Sequence, residues 1–197
     1  YPGTYLAGCY NRAETDIADK IIVNEDLVNW PNWLFMNFKH EHGEWMDIDN
    51  IEILDYYQEL DLKEGILLRN IHFRDHSNKE TKLSTRRVVS MHDKHLSGIK
   101  WEITPMNWSG TVEVISALDG KINNSGVARY NDLNGHHIDP LETTTLSEDS
   151  IGLKVQTNQS HITVAQTAKT YVRDENSMVA PKRTLTQEKG FIAHTLE

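Results

Sequence analysis

Ile99-Lys100-Trp101-Glu102-Ile103-Thr104 and, further on, Ile151-Gly152-Leu153-Lys154-Val155-Gln156 alternate apolar side chains with polar or small ones without a break. A period of two places the apolar set on one face of an extended strand, whereas a helix needs such residues three and four apart. Ile162, Val164, Ala168 and Val172 share one parity against His161, Thr163, Thr167 and Lys169. These segments read as half-buried antiparallel strands. Further strands are expected at Ile51 to Tyr57, Ile66 to Phe73, Thr81 to Met91 and Val112 to Leu118. The stretches between them carry turn chemistry: Asp75-His76-Ser77-Asn78, Trp108-Ser109-Gly110 and Asp119-Gly120. The best helical window, Asn24 to Trp30, is short and runs into Pro31, which disfavours helical geometry in the residue before it. The expected fold class is all-β, a sandwich or barrel of antiparallel strands.

Composition narrows the function. The 197 residues hold 20 Lys+Arg and 29 Asp+Glu, a formal charge of −9, which argues against a basic phosphate-contacting face and hence against nucleic acid as partner. With 38% hydrophobic and 25% charged residues the chain is globular, and no apolar run approaches the length of a membrane span. A lone cysteine, Cys9, cannot form an internal disulfide, so a reducing, cytoplasmic location is the simpler expectation. Three Asn-x-Ser acceptors, at Asn107, Asn123 and Asn158, keep secretion open, although Tyr1 to Arg12 does not look like a signal peptide. The start at Tyr1 and the closing Leu196-Glu197 suggest a fragment.

Residues 1–50 read differently. They carry Trp30, Trp33 and Trp45 together with Asn11, Asn24, Asn29, Asn32 and Asn37, and Asn11 to Asn32 is expected to be a long ordered loop. Asn124 to Pro140 is expected to be a second. Tyr10, Asn11, Arg12, Asn29, Asn32, Trp30 and Trp33 fall in the first. Flat rings beside amide and guanidinium groups suit a sugar site, because ring faces stack while hydroxyls take directional hydrogen bonds. The alternative is that Trp30 and Trp33 anchor the loop to the core.

Other constellations are weaker. His40 and His42 would share a strand face, as zinc ligands do, but no third ligand is apparent, and His92 to His95 reads as a solvated turn. His136 and His137 form another pair. Asp47, Asp49, Glu52, Asp55, Glu59, Asp61 and Glu64 crowd one region; paired carboxylates suit glycoside chemistry, yet a solvated face explains them as well. Nucleophile-elbow, P-loop and dinucleotide signatures are absent, and neither a metal nor an organic cofactor is expected.

Ordered motifs go beyond composition. Pro2-Gly3-Thr4-Tyr5-Leu6-Ala7-Gly8-Cys9-Tyr10-Asn11-Arg12 is followed by Leu27-Val28-Asn29-Trp30-Pro31-Asn32-Trp33. Leu54-Asp55-Tyr56, Glu59-Leu60-Asp61-Leu62, Gly65, Thr104-Pro105, Trp108-Ser109-Gly110, Ser116-Ala117-Leu118-Asp119-Gly120 and Asn124-Ser125-Gly126-Val127 come next. The series resembles the N-terminal domain of glycoside hydrolase family 65, which includes maltose, trehalose and kojibiose phosphorylases and related hydrolases. The resemblance covers roughly residues 1–172 and implies an antiparallel β-sandwich of the galactose-mutarotase-like (supersandwich) type. In that family a helical barrel follows, carrying the general-acid Glu and the phosphate or water site. None of the present carboxylates is therefore expected to be catalytic.

The resemblance further implies a single N-terminal β-sandwich domain over residues 1–197 of a larger enzyme, packing on a catalytic barrel and shaping its mouth. The intact enzyme would act on a disaccharide with inversion at the anomeric carbon, with inorganic phosphate as co-substrate if it is a phosphorylase. The rim or interface candidates are Tyr10, Asn11, Arg12, Asn29, Asn32 and Trp33. The family's upstream Asn-Gly-Tyr-x-Gly-x-Arg-Gly segment has no match here, so truncation at both ends is expected, with open strand edges and a possible homodimer. Two other functions are weighed: a stand-alone carbohydrate-binding module, and an aldose epimerase using His and Glu as acid and base.

Overall fold

The computed structural model describes residues 3–174 and 177–197. In chain order the strands are β1 (Tyr10–Ile17), β2 (Lys20–Leu27), β3 (Asn32–His40), β4 (Glu52–Asp61), β5 (Ile66–Arg74), β6 (Glu80–Val89), β7 (Ser97–Pro105) and β8 (Val112–Asp119). There follow β9 (Ile138–Ser147), β10 (Ser150–Thr157), β11 (Thr163–Lys169), β12 (Val172–Asp174), β13 (Ser177–Val179), β14 (Arg183–Glu188) and β15 (Phe191–Leu196). Among the described residues there is no α-helix, and two short 3-10 turns are the only helical geometry. Among the described residues no helix is long and apolar enough to cross a membrane. The fold is all-β with open antiparallel sheets.

Two compact units divide the chain. One takes the chain up to Phe38 together with Glu113–Glu197; the other is Lys39–Val112. The first is a β-sandwich. Its sheets run β14-β15-β8-β3 and β11-β10-β9, and β10 packs on β15 across the interior. The Ile151 to Val155 alternation lies on β10, the central strand of its sheet. Ile151, Leu153 and Val155 join Val28, Trp30, Leu118, Ile138 and Ile192 in one buried cluster. Burial of such side chains contributes roughly 1.5–3 kcal/mol each. Ile162, Val164 and Ala168 flank this cluster, as their shared parity requires. Val172 does not continue the strand, because β11 ends at Lys169 and Val172 opens the short β12.

In the second unit the four expected strands form one antiparallel sheet, β4-β5-β6-β7. Asp75 closes the β5–β6 turn by accepting from the amides of Ser77 at 2.8 Å and Lys79 at 3.0 Å. Its other oxygen lies 2.7 Å from Nε2 of His40. His42, expected on the same strand face as His40, instead sits beyond the strand end in a turn with φ 60°. The pair cannot converge as strand ligands, because β3 stops at His40. All the crowded carboxylates except Asp61 are exposed, matching the solvated-face reading.

The largest departure concerns Asn11 to Asn32. It is not a loop: β1 and β2 pair over their whole length, from Tyr10 with Leu27 to Ile17 with Lys20. Ala18 and Asp19 both adopt positive φ, 52° and 63°, the left-handed pair that makes a two-residue hairpin turn. Asn124 to Pro140 is largely irregular, as expected, up to the start of β9 at Ile138.

Candidate functional site

The β1–β2 hairpin decides where the candidate residues point. Its inner face buries Asn11, Ala13, Asn24 and Asp26, and its outer face exposes Tyr10, Arg12, Ile21 and Val23. Three of the hairpin's four buried residues are thus polar, and each polar group needs a partner.

Asn11 finds six. Its Oδ1 accepts from the amides of Gln159 at 3.2 Å and Ser160 at 2.9 Å and from the Ser160 hydroxyl at 3.1 Å. Its amide nitrogen faces Asn158 Oδ1 at 2.7 Å, His137 Nδ1 at 3.0 Å and the Arg12 carbonyl at 3.1 Å. On the neighbouring strand, Asp26 takes a hydrogen bond from the Tyr130 hydroxyl at 2.9 Å and another from the Asn24 amide. Nε2 of His137 stands 3.7 Å from Asp26 Oδ2, and both side chains are 1% exposed. Burial pushes the His137 imidazole below its ordinary value; Asp26 pulls it up, and His136 pushes it down again.

Asn29 acts in the same way. Its Oδ1 accepts from the Thr4 amide at 2.9 Å, and its own N–H donates to Asn124 Oδ1 at 2.8 Å. Asn124 returns a bond from Nδ2 to the Leu27 carbonyl at 2.9 Å and donates its N–H to the Gly135 carbonyl at 2.8 Å. Gly135 is required there, because a Cβ would collide with the Asn124 carbonyl oxygen.

The six candidates therefore separate. Asn11 and Asn29 are buried staples that hold the hairpin and the chain before it to residues 121–137 and the 158–160 turn. Asn32 is also buried and accepts from the Leu34 amide at 2.9 Å, opening β3. Trp33 packs half-buried against the core cluster, while Trp30 is wholly buried, so the anchoring reading holds for both rings. Tyr10 and Arg12 stay on the surface, Arg12 paired with Glu25 at 2.8 Å in an exposed ion pair of small energetic weight. The polar cluster also contains Asp26 and Tyr130, which the sequence does not single out, and Asn158, which it marks only as an Asn-x-Ser acceptor, because they lie more than a hundred residues from their partners or inside a strand with no apolar alternation. His137 is conspicuous in sequence only as a neighbour of His136.

Chemically, the cluster joins a carboxylate, an imidazole and a phenol, but the carboxylate and the imidazole are sealed, while Tyr130 is half-buried and Asn158 reaches the surface. A group 1% exposed cannot meet a substrate, so its work is positioning. Among the described residues no three His, Cys, Asp or Glu side chains converge as metal ligands do.

Comparison with known proteins places this arrangement. The profile of the glycosyl hydrolase family 65 N-terminal domain matches residues 1–197. An uncharacterized glycosyl hydrolase of Mycobacterium tuberculosis is 35% identical over all of this chain, which spans 15% of that protein. A kojibiose phosphorylase of Caldanaerobacter subterraneus is 30% identical over 86% of this chain and 21% of its own length. A trehalose 6-phosphate phosphorylase of Lactococcus lactis is 26% identical over 84% of this chain and 20% of its own length. The chain thus spans about a fifth or less of these relatives. With an all-β sandwich and a family profile matched from end to end, this chain belongs to glycosyl hydrolase family 65, as its N-terminal domain.

Proposed function

We propose that this chain is a non-catalytic domain of an enzyme acting on α-glucosidic disaccharides, packing on a separate catalytic domain and shaping the approach to it. The observation that carries the reading is the family match over the whole chain combined with the small share of each relative that it covers. The buried asparagines support it. Asn11, Asn29 and Asn32 spend their hydrogen-bonding capacity inside the fold, as a rigid platform needs. Tyr10 and Arg12 on the outer face of the hairpin, with the edge of Trp33, are the side chains left to meet a catalytic domain or a substrate. Inorganic phosphate would serve as co-substrate if the intact enzyme is a phosphorylase, and the disaccharide would bind chiefly in the catalytic domain.

Isothermal titration of this chain with maltose, trehalose and kojibiose tests the reading. No heat of binding is expected. Saturable heat from any of the three would make the chain a self-sufficient carbohydrate-binding module instead.

A further inference from the structure

The sheet β4-β5-β6-β7 has one apolar and one charged face, and register assigns them. Tyr56, Ile71, Leu83 and Ile103 pair across the four strands in one row; Gln58, Arg69, Thr85 and Trp101 form the next, and Leu60, Leu67, Arg87 and Ile99 the one after. Residues two apart share a face, so all three rows lie on the same side. Ile71 and Leu83 are buried, but the third row opens out: Leu67, Arg87 and Ile99 are half-buried and Leu60 is exposed. Past it, the end of β6 and the two turns at that end of the sheet leave Val89, Leu62, Met91 and Leu96 exposed, Leu62 at 85% and Met91 at 97%.

On this apolar face stand Arg69 and Arg87, diagonal neighbours on adjacent strands. Neither guanidinium has a carboxylate or carbonyl partner among the described residues, although the chain carries 29 acids. Two other cations of the sheet are paired, Arg74 with Glu80 and Glu52, both at 2.8 Å, and Lys100 with Glu102 at 2.6 Å, while Lys82 and Arg86 stand exposed to solvent, where a lone charge costs little. Burial, and then the like charge of Arg69, push the Arg87 guanidinium below its ordinary value. Two half-buried like charges on an apolar surface are costly until an anion joins them. Guanidinium is weakly hydrated and matches a carboxylate fork to fork.

We propose that Arg69 and Arg87 are the charged centre of a docking surface, taking one or two carboxylates from an apolar protein surface in the part of the enzyme outside residues 1–197. This rests on the proposed function and adds a second contact to the one given there to Tyr10 and Arg12. The flanking Leu60, Leu67 and Ile99 decide the occupant. A free hydrated anion gains nothing from three aliphatic side chains, whereas a protein surface bearing Asp or Glu among apolar residues covers both features at once. The relatives hold more than three-quarters of their length outside the matched region, which is ample to supply it.

The test is hydrogen exchange on the full-length enzyme, comparing wild type with Arg69→Gln/Arg87→Gln and Arg69→Lys/Arg87→Lys. The Gln pair is expected to speed exchange about tenfold or more in β5 and β6 near Leu67 and Arg87, leaving β10 unchanged. The Lys pair, which keeps the charge, is expected to recover part of that protection. Unchanged exchange in the Gln pair overturns the inference. So does an equal rise in β10, since the arginines would then hold the fold itself. Millimolar inorganic phosphate restoring protection in the Lys pair without a protein contact would assign the site to a free oxyanion and likewise overturn it. Co-elution of the two parts after limited proteolysis reads the proposed function separately: parts that stay together while the Gln pair exchanges normally sink this inference alone.

Discussion

The side-chain amide nitrogen of Asn11 lies 3.0 Å from Nδ1 of His137 and fixes which ring nitrogen carries the proton. Asn11 cannot turn its oxygen toward the ring, because that oxygen already accepts from Gln159 and from two donors of Ser160. Nδ1 must therefore accept, which leaves His137 neutral with its hydrogen on Nε2, an atom 3.7 Å from Asp26 Oδ2 and beyond hydrogen-bond reach. A proton on Nδ1 would point at the N–H of Asn11.

This geometry makes stability fall in mild acid. The folded pKa of His137 is lowered, chiefly by burial, so its contribution is fully present above the unfolded value of about 6.5 and is lost as pH falls from there toward the folded value. His194 is lowered too, by burial and by Arg183 against the pull of Asp149, and acts in the same direction. Urea denaturation at stepped pH is expected to show a shallower acid loss for His137→Gln than for wild type, with the slope due to His194 remaining. Identical slopes would place the His137 proton elsewhere.

Asn11→Ala removes one acceptor serving three donors. Leaving the Ser160 and Gln159 amides without it is expected to cost about 2–3 kcal/mol, read by chemical denaturation. A loss under half a kcal/mol would show that water replaces the amide freely and that the staple is dispensable.

How much of this could be read from the sequence depended on which residues a strand buries. β7 and β10 announce themselves because Ile99, Trp101 and Ile103, or Ile151, Leu153 and Val155, alternate with residues that face the other way. β1 and β2 bury Asn11, Asn24 and Asp26 on their inner face and expose Ile21 and Val23 on the outer one, so a hydropathy pattern reads them backwards, as a polar loop. Their turn offers no Asn-Gly or Asp-Gly; Ala18 and Asp19 take the left-handed geometry with side chains that seldom do. The six candidate residues were visible in the sequence, but not that Asn11, Asn29 and Asn32 turn inward while Tyr10 and Arg12 turn out. The partners of Asn11 lie at 137 and 158–160, and no local rule reaches that far. Family motifs succeeded where local patterning failed because they record which residues recur together, not why.

Gly135→Ala forces a methyl group into the Asn124 carbonyl, and the backbone must move. The expected loss is about 1–3 kcal/mol, with faster amide exchange at Asn29 and Asn124, whose bonds depend on that approach. Wild-type exchange at both amides would contradict the packing.

Asp149 is held at a pKa of about 2, first by the Ser147 hydroxyl and also by Lys169 and Ser150, against some desolvation. Its stabilising contribution is present above the unfolded value of 3.8 and is lost as pH falls toward about 2. Carboxyl chemical-shift titration of Lys169→Met is expected to find the midpoint raised but still below 3.8, because the two hydroxyls remain. An unmoved midpoint would remove Lys169 from the cause.

The most direct test divides the labour of the intact enzyme. The present chain and the remainder of the full-length protein are produced separately, checked for β structure by circular dichroism, and assayed alone and mixed for phosphorolysis and hydrolysis of kojibiose, trehalose and maltose. The account predicts no turnover by the present chain and a gain of activity when the two parts are combined. Turnover of any disaccharide by residues 1–197 alone would contradict it.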